Sequence, residues 1–341
     1  MSLLLTEADV RGVLGADAAI EAVEEGFRAY GEGRVNMPPK AYLDLDKGDF
    51  RAMYGEIRGF LGHDICGLKW VNVHPGNPSI GLPTVMAKII LNDPLTAVEL
   101  VDMDGSFITD LRTGAAGAVA VKYLAREDAK NIAFVGAGRQ ATTQLECIRK
   151  VRDIRKIRVY DIDENKAGEF AHHASELGVA DSVACGLREA LEDADILVTV
   201  TPSRKPVVSA DLIPEGLHIN AFGADAAGKQ ELDPAILKRA RVFIDDWEQA
   251  SHSGEINVPL GKGLISREDV YGSLGELVAG RIGGRVNSKE VTVFDSTGLI
   301  VQDLVTAYTA YRLCKMRGVG VDKRFLSRVP AGKLGEVYKR F

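Results

Sequence analysis

The chain has 341 residues, of which 46% are hydrophobic and 26% are charged, and its formal net charge is −6. This composition is typical of a soluble globular protein with enough residues for two ordinary domains. The sequence contains no long basic or acidic block and no apolar stretch of about 18 residues, so neither nucleic acid nor a membrane is expected as a partner.

The pattern of cysteines and histidines predicts free thiols and no metal site. The four cysteines are scattered and form neither a CxxC pair nor a disulfide framework, which is typical of the reducing cytoplasm. The opening Met1-Ser-Leu-Leu-Leu is too short for the apolar core of a signal peptide. His172 and His173 are adjacent on a predicted helix and point about 100° apart, so they are poor joint ligands and no metal site is predicted.

The first region, residues 1–115, begins with two helical patterns. Thr6 is placed to cap the first, and Ile20, Val23, Phe27 and Tyr30 share one face of the second. Strand-like runs follow at residues 40–45, 49–54, 66–73, 84–92 and 97–103. These elements predict a mixed α+β region with a mainly antiparallel sheet.

A helix is predicted at residues 110–125, and most of its side chains are small. Its centre is Thr113-Gly-Ala-Ala-Gly-Ala-Val-Ala. Small side chains let either another helix or a ligand come close. The sequence alone leaves core packing and ligand contact equally open for this helix.

The run Asn131-Ile-Ala-Phe-Val-Gly136-Ala-Gly138-Arg-Gln-Ala141 joins a short apolar strand to a helical pattern. This order of Gly-x-Gly-x-x-Ala is typical of a pyrophosphate site. Gly136 permits the tight turn, Gly138 lets the backbone approach phosphate, and Ala141 packs the helix close to the strand. The start of the helix offers free N–H groups to the anion.

The next predicted strand ends in Asp161, 23 residues after Gly138. An acid at this distance binds the hydroxyl groups of the adenosine ribose. Because a carboxylate repels a 2′-phosphate, the pattern favours NAD over NADP. The sequence therefore predicts a dinucleotide site specific for NAD.

The second region, residues 116–300, alternates strands and helices, which predicts an α/β fold of the doubly wound Rossmann type. Strands are expected at residues 131–135, 156–161, 181–185, 196–201, 218–222, 241–245 and 291–295. Ligands in such sheets bind beyond the carboxyl ends of the strands, where Thr201, Gly223, Ala224 and Asp225 lie. A helix at 302–317 and a charged tail follow. We expect residues 301–341 to pack on the first region and form one domain with it.

Four residues outside the glycine loop have the character of a reacting site. Lys69 lies inside an apolar strand, where burial would lower its pKa and make it a proton donor or acceptor near neutrality. Arg51 and Arg112 could each bind a carboxylate through two hydrogen bonds. Asp225 follows a strand end. Two alternatives stay open at this point. The lysine and the arginines could be solvated surface residues, and Asp225 could simply form a turn.

Dispersed motifs complete the pattern. They are Met37-Pro-Pro-Lys, Arg51-Ala-Met, Gly67-Leu-Lys69-Trp-Val-Asn-Val-His-Pro-Gly-Asn, Gly81-Leu-Pro-Thr84-Val-Met, Leu111-Arg112-Thr-Gly-Ala-Ala, Thr201-Pro-Ser-Arg-Lys-Pro-Val, Gly223-Ala-Asp225-x-x-Gly-Lys229-Gln-Glu-Leu-Asp, His252-Ser-Gly-Glu-Ile-Asn and Phe294-Asp-Ser296-Thr-Gly-Leu. With these motifs the chain resembles the ornithine cyclodeaminase/μ-crystallin family over roughly residues 3–320, and in particular its archaeal-type alanine dehydrogenases.

The resemblance implies a homodimer in which residues 1–115 and 301–341 form the dimerisation and substrate domain and residues 116–300 the NAD domain, with the substrate in the cleft between them. It also implies roles for single residues. Lys69 matches the catalytic lysine, Arg51 the arginine that holds the substrate carboxylate, and Asp225 the acid near the amine. The remaining matches are to positions around the cofactor and the substrate: Arg112 at the phosphates, Thr84 beside the nicotinamide, Arg139 and Gln140 in the phosphate loop, and Thr201, Ala224, Lys229 and Ser296 around the ribose and nicotinamide.

The reaction that the resemblance implies is the NAD-dependent interconversion of L-alanine with pyruvate and ammonia through an imine. Three alternatives are an ornithine cyclodeaminase, an imine reductase acting on pyrroline-2-carboxylate or iminosuccinate, and a non-catalytic binding protein like μ-crystallin. One departure from the family pattern is Tyr54, which stands where close relatives have proline. We expect this tyrosine to change the shape of the substrate pocket. The family assigns no role to residues 321–341.

Overall fold

A computed structural model of the chain describes residues 2–324 and 330–341. The strands are β1 (Ser2–Leu5), β2 (Val35–Asn36), β3 (Ala41–Leu45), β4 (Gly48–Phe60), β5 (His63–Val73), β6 (Val85–Asn92), β7 (Glu99–Asp104), β8 (Asn131–Val135), β9 (Lys156–Tyr160), β10 (Asp181–Ala184), β11 (Ile196–Thr199), β12 (Arg204–Val208), β13 (His218–Ala221), β14 (Gln230–Leu232), β15 (Arg241–Ile244), β16 (Val270–Ser273), β17 (Thr292–Asp295) and β18 (Val321–Lys323). The α-helices are α1 (Glu7–Val13), α2 (Ala16–Gly31), α3 (Ser106–Leu124), α4 (Arg139–Val151), α5 (Glu164–Glu176), α6 (Leu187–Leu191), α7 (Pro234–Arg239), α8 (Trp247–Ser253), α9 (Asn257–Gly261), α10 (Leu274–Val278), α11 (Ile300–Arg317) and α12 (Ala331–Tyr338). None of the helices in the described part of the chain combines the length and apolarity that crossing a bilayer requires.

The chain divides into two compact units. Unit 1 comprises Met1–Arg112 and Leu299–Phe341, and unit 2 comprises Thr113–Gly298. The sequence predicted boundaries between these two parts at 115/116 and 300/301, within three residues of the observed ones. The roles expected for these parts, substrate binding and dimerisation for the first and NAD binding for the second, stay predictions.

Unit 1 is built on a mixed sheet with the order β18-β1-β7-β6-β5-β4-β2, and β3 pairs with β4. The central pairs from β4 to β7 are antiparallel, as predicted, while β1 runs parallel to β7. Strands β4 and β5 are longer than expected because the turn between them has positive φ angles at Leu61 and Gly62, which lets the hairpin continue to that point.

The two faces of this sheet differ. On the inner face, apolar side chains from β4, β5 and β6 are buried, and α11 packs against β4 and β5 and also against α2. The residues with this orientation include Met53, Ile57, Ile65, Val71, Ile89 and Leu91. Because alternate residues point to opposite faces, Tyr54, Trp70 and Met86 lie on the outer face, where each is more than a third exposed.

Unit 2 contains an all-parallel sheet with the order β10-β9-β8-β11-β13-β17-β15-β16. Its first five strands follow the doubly wound order 3-2-1-4-5, and β17, the last strand of this sheet along the chain, lies next to β13 and before β15 and β16. Alternate residues of β8 enter two separate cores, since Ile132 and Phe134 pack with α4 and α5 while Ala133 and Val135 pack with α6 and α7. Helices therefore cover both faces, and the predicted α/β fold of Rossmann type is confirmed.

The small-residue helix α3 begins at Ser106, four residues earlier than predicted, because Asp104 accepts a hydrogen bond of 2.9 Å from the Ser106 N–H and stabilises the first turn. Its glycines serve helix packing. A Cβ added to Gly114 would overlap the Thr143 carbonyl, and one added to Gly117 would overlap the Gln144 side chain, both on α4. Core packing, one of the two alternatives for this helix, is therefore the role that the structure supports at these glycines.

Within the described residues, the six strands that the sequence did not predict are all short. They are β1, β2, β12, β14, β16 and β18, each of two to five residues. Such segments show too few alternations for a strand pattern and are defined by their pairing partners. Part of the tail at 321–341 belongs to β18 and α12, and residues 325–329 lie outside the described residues.

Candidate active site

Lys69 lies on β5 with its side chain on the inner face of the unit 1 sheet. Only 1% of the residue is exposed, and its Nζ lies 2.9 Å from Oδ1 of Asp303, which is fully buried in the first turn of α11. Gly67, two residues before Lys69, allows α11 to come this close, since an added Cβ would lie 2.9 Å from Leu304 Cδ2. The lysine is thus held in an apolar environment with one acidic partner.

Arg112 completes this cluster. Its Nε donates to the same Asp303 oxygen at 3.2 Å, and its Nη1 donates to Gln302 Oε1 at 2.7 Å. One carboxylate oxygen therefore serves two cations. The other oxygen, Asp303 Oδ2, and Gln302 Nε2 are buried and have no hydrogen-bond partner among the described residues. Polar atoms of this kind are costly to leave unpaired and are suited to a polar ligand.

Burial lowers the pKa of Lys69 from 10.5 to about 7. The nearby Asp303 carboxylate opposes this shift, and the Arg112 guanidinium adds to it. The cause is desolvation of the ammonium group, which favours the neutral amine. A lysine with this pKa exchanges its proton near neutral pH, as the sequence predicted for a buried Lys69.

The sequence interpretation missed Asp303. The signal was available, because Asp303 is the one acidic residue in the helical pattern at 302–317. The helix was expected to pack on the first region, which contains Lys69, and a buried lysine needs an acidic partner.

Arg51 shares the inner face with Lys69. In the register of β4 and β5, Arg51 pairs with Val71 and Met53 pairs with Lys69, so Arg51 and Lys69 are diagonal neighbours. The arginine is 7% exposed, and its Nε and Nη2 donate to the two carboxylate oxygens of Asp49 at 2.8 and 3.1 Å. The pairing shows that this guanidinium can bind a carboxylate through two hydrogen bonds.

Two further residues of unit 1 were expected at the site. Thr84 immediately precedes β6 and is half-buried, and its carbonyl accepts a hydrogen bond of 2.8 Å from the His74 N–H. Tyr54 lies on the outer face, opposite to Arg51 and Lys69. The expectation that Tyr54 changes the shape of the substrate pocket therefore has no support in the strand register.

The glycine loop of unit 2 has the geometry that its sequence predicted. Gly136 follows β8 with φ of 98°, a conformation that favours glycine. Gly138 caps α4, and a Cβ built on it would meet no atom within 4 Å, so its backbone is open to a ligand. Arg139 and Gln140 form the first turn of α4. An open helix N-terminus beside a glycine turn fits a pyrophosphate group.

Asp161 follows β9, the strand next to β8. Its Oδ2 accepts a hydrogen bond of 2.8 Å from the Ala137 N–H in the glycine loop, and its Oδ1 accepts one of 2.9 Å from Asp163 N–H. The carboxylate is thus fixed beside the loop. Its position at the end of the second strand suits a ribose diol.

The other residues expected around the cofactor follow neighbouring strands at the same edge of the sheet. Thr201 follows β11, Gly223 and Ala224 follow β13, and Ser296 follows β17, where its hydroxyl donates to Asp245 at 3.2 Å. This edge, from β9 across to β17, fits an extended dinucleotide.

Asp225 and Lys229 lie in the segment after β13 and form an ion pair of 2.5 Å, with the aspartate one-third exposed. Both belong to unit 2, while Arg51, Lys69 and Arg112 belong to unit 1. No group of three or more metal-ligating side chains that could hold an ion occurs in the described ranges 2–324 and 330–341.

Comparison with known proteins identifies the family. Its model, described as the ornithine cyclodeaminase/mu-crystallin family, matches residues 1–316. Alanine dehydrogenase of Archaeoglobus fulgidus is 49% identical over 324 residues, which are 95% of this chain and 98% of that protein. The structure of an archaeal alanine dehydrogenase dimer with bound NAD is similar, with a TM-score of 0.92 and 48% identity over 95% of this chain and 99% of that one.

A relative with a different name is almost as similar in structure. The Δ1-pyrroline-2-carboxylate reductase of Thermococcus litoralis, in complex with NADH and L-proline, has a TM-score of 0.89 and 36% identity over 94% of this chain and 100% of that one. The resemblance inferred from the dispersed motifs is confirmed. The chain belongs to the ornithine cyclodeaminase/mu-crystallin family.

Proposed function

We propose that this chain interconverts L-alanine with pyruvate and ammonia through an imine. At a coarser level the chain is an NAD-dependent oxidoreductase that acts on amino acids or imines, as its relatives are. In the proposed direction L-alanine, NAD and water give pyruvate, ammonium, NADH and a proton. The observation that carries the proposal is the buried cluster of Lys69, Asp303 and Arg112 on the sheet face that also bears Arg51.

Unit 2 would supply most of the dinucleotide site, and Thr84 and Arg112 of unit 1 would add to it. The backbone of Gly136 and Gly138 and the first turn of α4 would hold the pyrophosphate, and Asp161 would bind the ribose hydroxyls and repel a 2′-phosphate. When bound, NAD supplies the acceptor for a hydride from the substrate α-carbon. The positions proposed for the rest of the cofactor are Thr84, Arg112, Arg139, Gln140, Thr201, Gly223, Ala224, Asp225, Lys229 and Ser296.

Unit 1 would bind and activate the amino acid. The Arg51 guanidinium would hold the substrate carboxylate, which fixes the orientation of the α-carbon. Lys69 in its neutral form would accept a proton as water adds to the imine, and Asp225 would assist near the amine. In its cationic form Lys69 would stabilise negative charge that develops on the substrate. Thr84 and Arg112 would complete the substrate contacts.

The alternatives use the same residues. An imine reductase is favoured by the similarity to the Thermococcus enzyme bound to L-proline, and a cyclodeaminase by the family itself. A pure binding protein is disfavoured because Lys69, Arg51 and Asp225 are all present, and binding alone does not need the three together.

A panel of amino and keto acids tests the proposal. NADH formation should be fastest with L-alanine and NAD, and NADH oxidation fastest with pyruvate and ammonia. Net NADH turnover only with preformed cyclic imines, or with oxaloacetate and ammonia, would instead identify an imine reductase. Proline and ammonia from ornithine without net NADH would identify a cyclodeaminase. Nucleotide binding with no turnover of any substrate would favour the binding protein.

The outer face of the unit 1 sheet supports a proposed homodimer. Trp70 and Phe50 stack on this face with ring centroids 5.0 Å apart, and Trp70, Tyr54 and Met86 are 41%, 42% and 38% exposed. Leu43 on β3 extends the same apolar surface. A contiguous exposed apolar face on a soluble chain marks an interface, and a self-complementary face gives a two-fold dimer. We propose that a second copy of the chain covers it.

Charge placed on this face should break the dimer. We expect the Trp70→Glu variant to elute as a monomer in light-scattering chromatography at concentrations where the unchanged protein is a dimer, because a carboxylate cannot be buried unpaired there. Leu264→Glu is the matched control, since Leu264 is 44% exposed in unit 2. A Trp70→Glu variant that stays dimeric, or an unchanged protein that is already monomeric, contradicts the assignment.

A further inference from the structure

Three of the fully buried acidic side chains of unit 2 are linked to one another through main-chain contacts and take no part in the reaction described above. They are Glu231 on β14, Glu255 between α8 and α9, and Asp295 at the end of β17. Burial raises the pKa of Asp295 to about 8 and raises that of Glu255 well above its usual value. Burying three acids is expensive, so their contacts need an explanation.

The three carboxylates form a chain of main-chain contacts. Asp295 accepts from the N–H groups of Glu255 and Ile256 at 2.8 and 3.1 Å. Glu255 in turn accepts from the N–H groups of Glu231 and Leu232 at 2.9 and 2.7 Å. Each acid therefore fixes the backbone of the segment that carries the next one.

Glu231 is the last member of this chain. It accepts from the N–H of Thr201 at 2.6 Å, from the N–H of Gly223 at 2.9 Å and from the hydroxyl of Thr199 at 2.7 Å. One carboxylate thus ties the end of β11 to the end of β13. The fit is tight, because a Cβ added to Gly223 would overlap the Thr201 carbonyl and lie 2.5 Å from the Glu231 carboxylate.

The strand order gives this contact a location in the dinucleotide site. Asp161 follows β9 and the glycine loop follows β8, so the adenosine and the pyrophosphate occupy that part of the edge. An extended dinucleotide then continues past β8 to the next strands, which are β11 and β13. Thr201 and Gly223, the residues held by Glu231, lie at the ends of these strands.

We propose that Glu231 is a positioning residue for the nicotinamide half of NAD, which it serves by fixing the ends of β11 and β13 to one another, while Glu255 and Asp295 fix Glu231. This inference rests on the proposed NAD-dependent function. The carboxylate suits the task because both of its oxygens accept. Glutamine in its place would turn an NH₂ group toward an N–H donor and lose at least one of the two main-chain contacts.

Binding of NADH and of ADP-ribose to the Glu231→Gln variant tests this role, since ADP-ribose lacks the nicotinamide. We expect the Kd for NADH to rise about tenfold and the Kd for ADP-ribose to stay within about twofold, both measured by titration calorimetry. Glu290→Gln is the control. Glu290 pairs with Arg241 at 2.8 Å beside the amino end of β17, and this change should alter neither Kd.

Thr199→Val provides a second, nearly isosteric variant. It removes only the hydroxyl that donates to Glu231, and we expect the same selective loss for NADH at about two- to fourfold. Equal weakening of both ligands in the two variants, or no weakening of either, would overturn the positioning role. If the unchanged protein bound neither ligand, the proposed NAD function itself would fall. If the parent binds both ligands and the two variants bind them with the same Kd values as the parent, only the positioning role of Glu231 would be overturned.

Discussion

The Lys69→Ala variant should lose turnover of L-alanine by about 1000-fold while its affinity for NADH stays within about twofold. General acid–base catalysis by a positioned side chain contributes roughly 100- to 10,000-fold. Lys69 is the one residue in the described part of unit 1 that combines burial, a pKa of about 7 and a place on the same sheet face as Arg51. The affinity for NADH should be nearly unchanged because Lys69 is not among the positions proposed for the cofactor.

Steady-state kinetics and NADH titration would measure both effects. Lys156→Ala is a suitable control, since Lys156 begins β9, pairs with Asp193 at 2.6 Å and lies at the amino end of its strand. A Lys69→Ala enzyme that keeps more than a tenth of the parent kcat would refute the role given to the lysine. Loss of NADH binding and of turnover together would point to a folding defect instead.

Replacing Asp303 with asparagine should lower kcat/KM for L-alanine about 10- to 100-fold and move its pH dependence to lower pH. The carboxylate orients Lys69 and Arg112 through charged hydrogen bonds of 2.9 and 3.2 Å, and such bonds contribute about 1.5–3 kcal/mol each. Asparagine has nearly the same shape, so the packing of α11 on β5 should persist.

The direction of the pH shift follows from the sign of each interaction. Amine oxidation needs neutral Lys69, so kcat/KM in the parent enzyme should fall as the pH drops below about 7. The Asp303 charge raises the Lys69 pKa, and its removal leaves burial and Arg112, which both lower it. The acidic limb of the profile should therefore move below pH 7 in the variant.

Stability should change in the same pH range. The folded pKa of Lys69 is about 7 and its ordinary value is 10.5, so the unfolded chain binds more protons between these values. The Lys69 contribution to the free energy of unfolding therefore rises with pH across this window. In the Asp303→Asn variant this rise should begin at a lower pH.

Asp193→Asn is the control for the Asp303→Asn variant. An unshifted acidic limb in Asp303→Asn would contradict the coupling between the two residues.

The proposed cofactor half of the site could be predicted because its residues are close together in the sequence. The glycine loop and Asp161 sit at the ends of two consecutive strands, and the β8–α4–β9 unit places them side by side whatever the rest of the chain does. Family motifs likewise led to the predicted roles of Arg51, Lys69 and Arg112. The predicted strands of both regions were found because each had enough residues to show its pattern.

The other features of the site depend on contacts between segments that are distant in the sequence. Asp303 is 234 positions from Lys69, and no local pattern shows that its helix packs on β5. Whether Tyr54 shares a face with Lys69 depends on the register of β4 with β5. The contact between the segments of Thr201 and Gly223 depends on Glu231, which comes from a third segment. The short strands were missed for the same reason, since their partners define them.

The sequence by itself determined the fold class and the family, and it predicted the dinucleotide loop and the role of Lys69 as the reactive lysine. Only the tertiary structure decided the proton affinity of that lysine, the acid that balances its charge and the way the strand ends are held. The physical reason is that backbone preference and hydrophobic periodicity act over a few residues. A pKa, by contrast, depends on which distant groups exclude water from a side chain and which charges they bring with them.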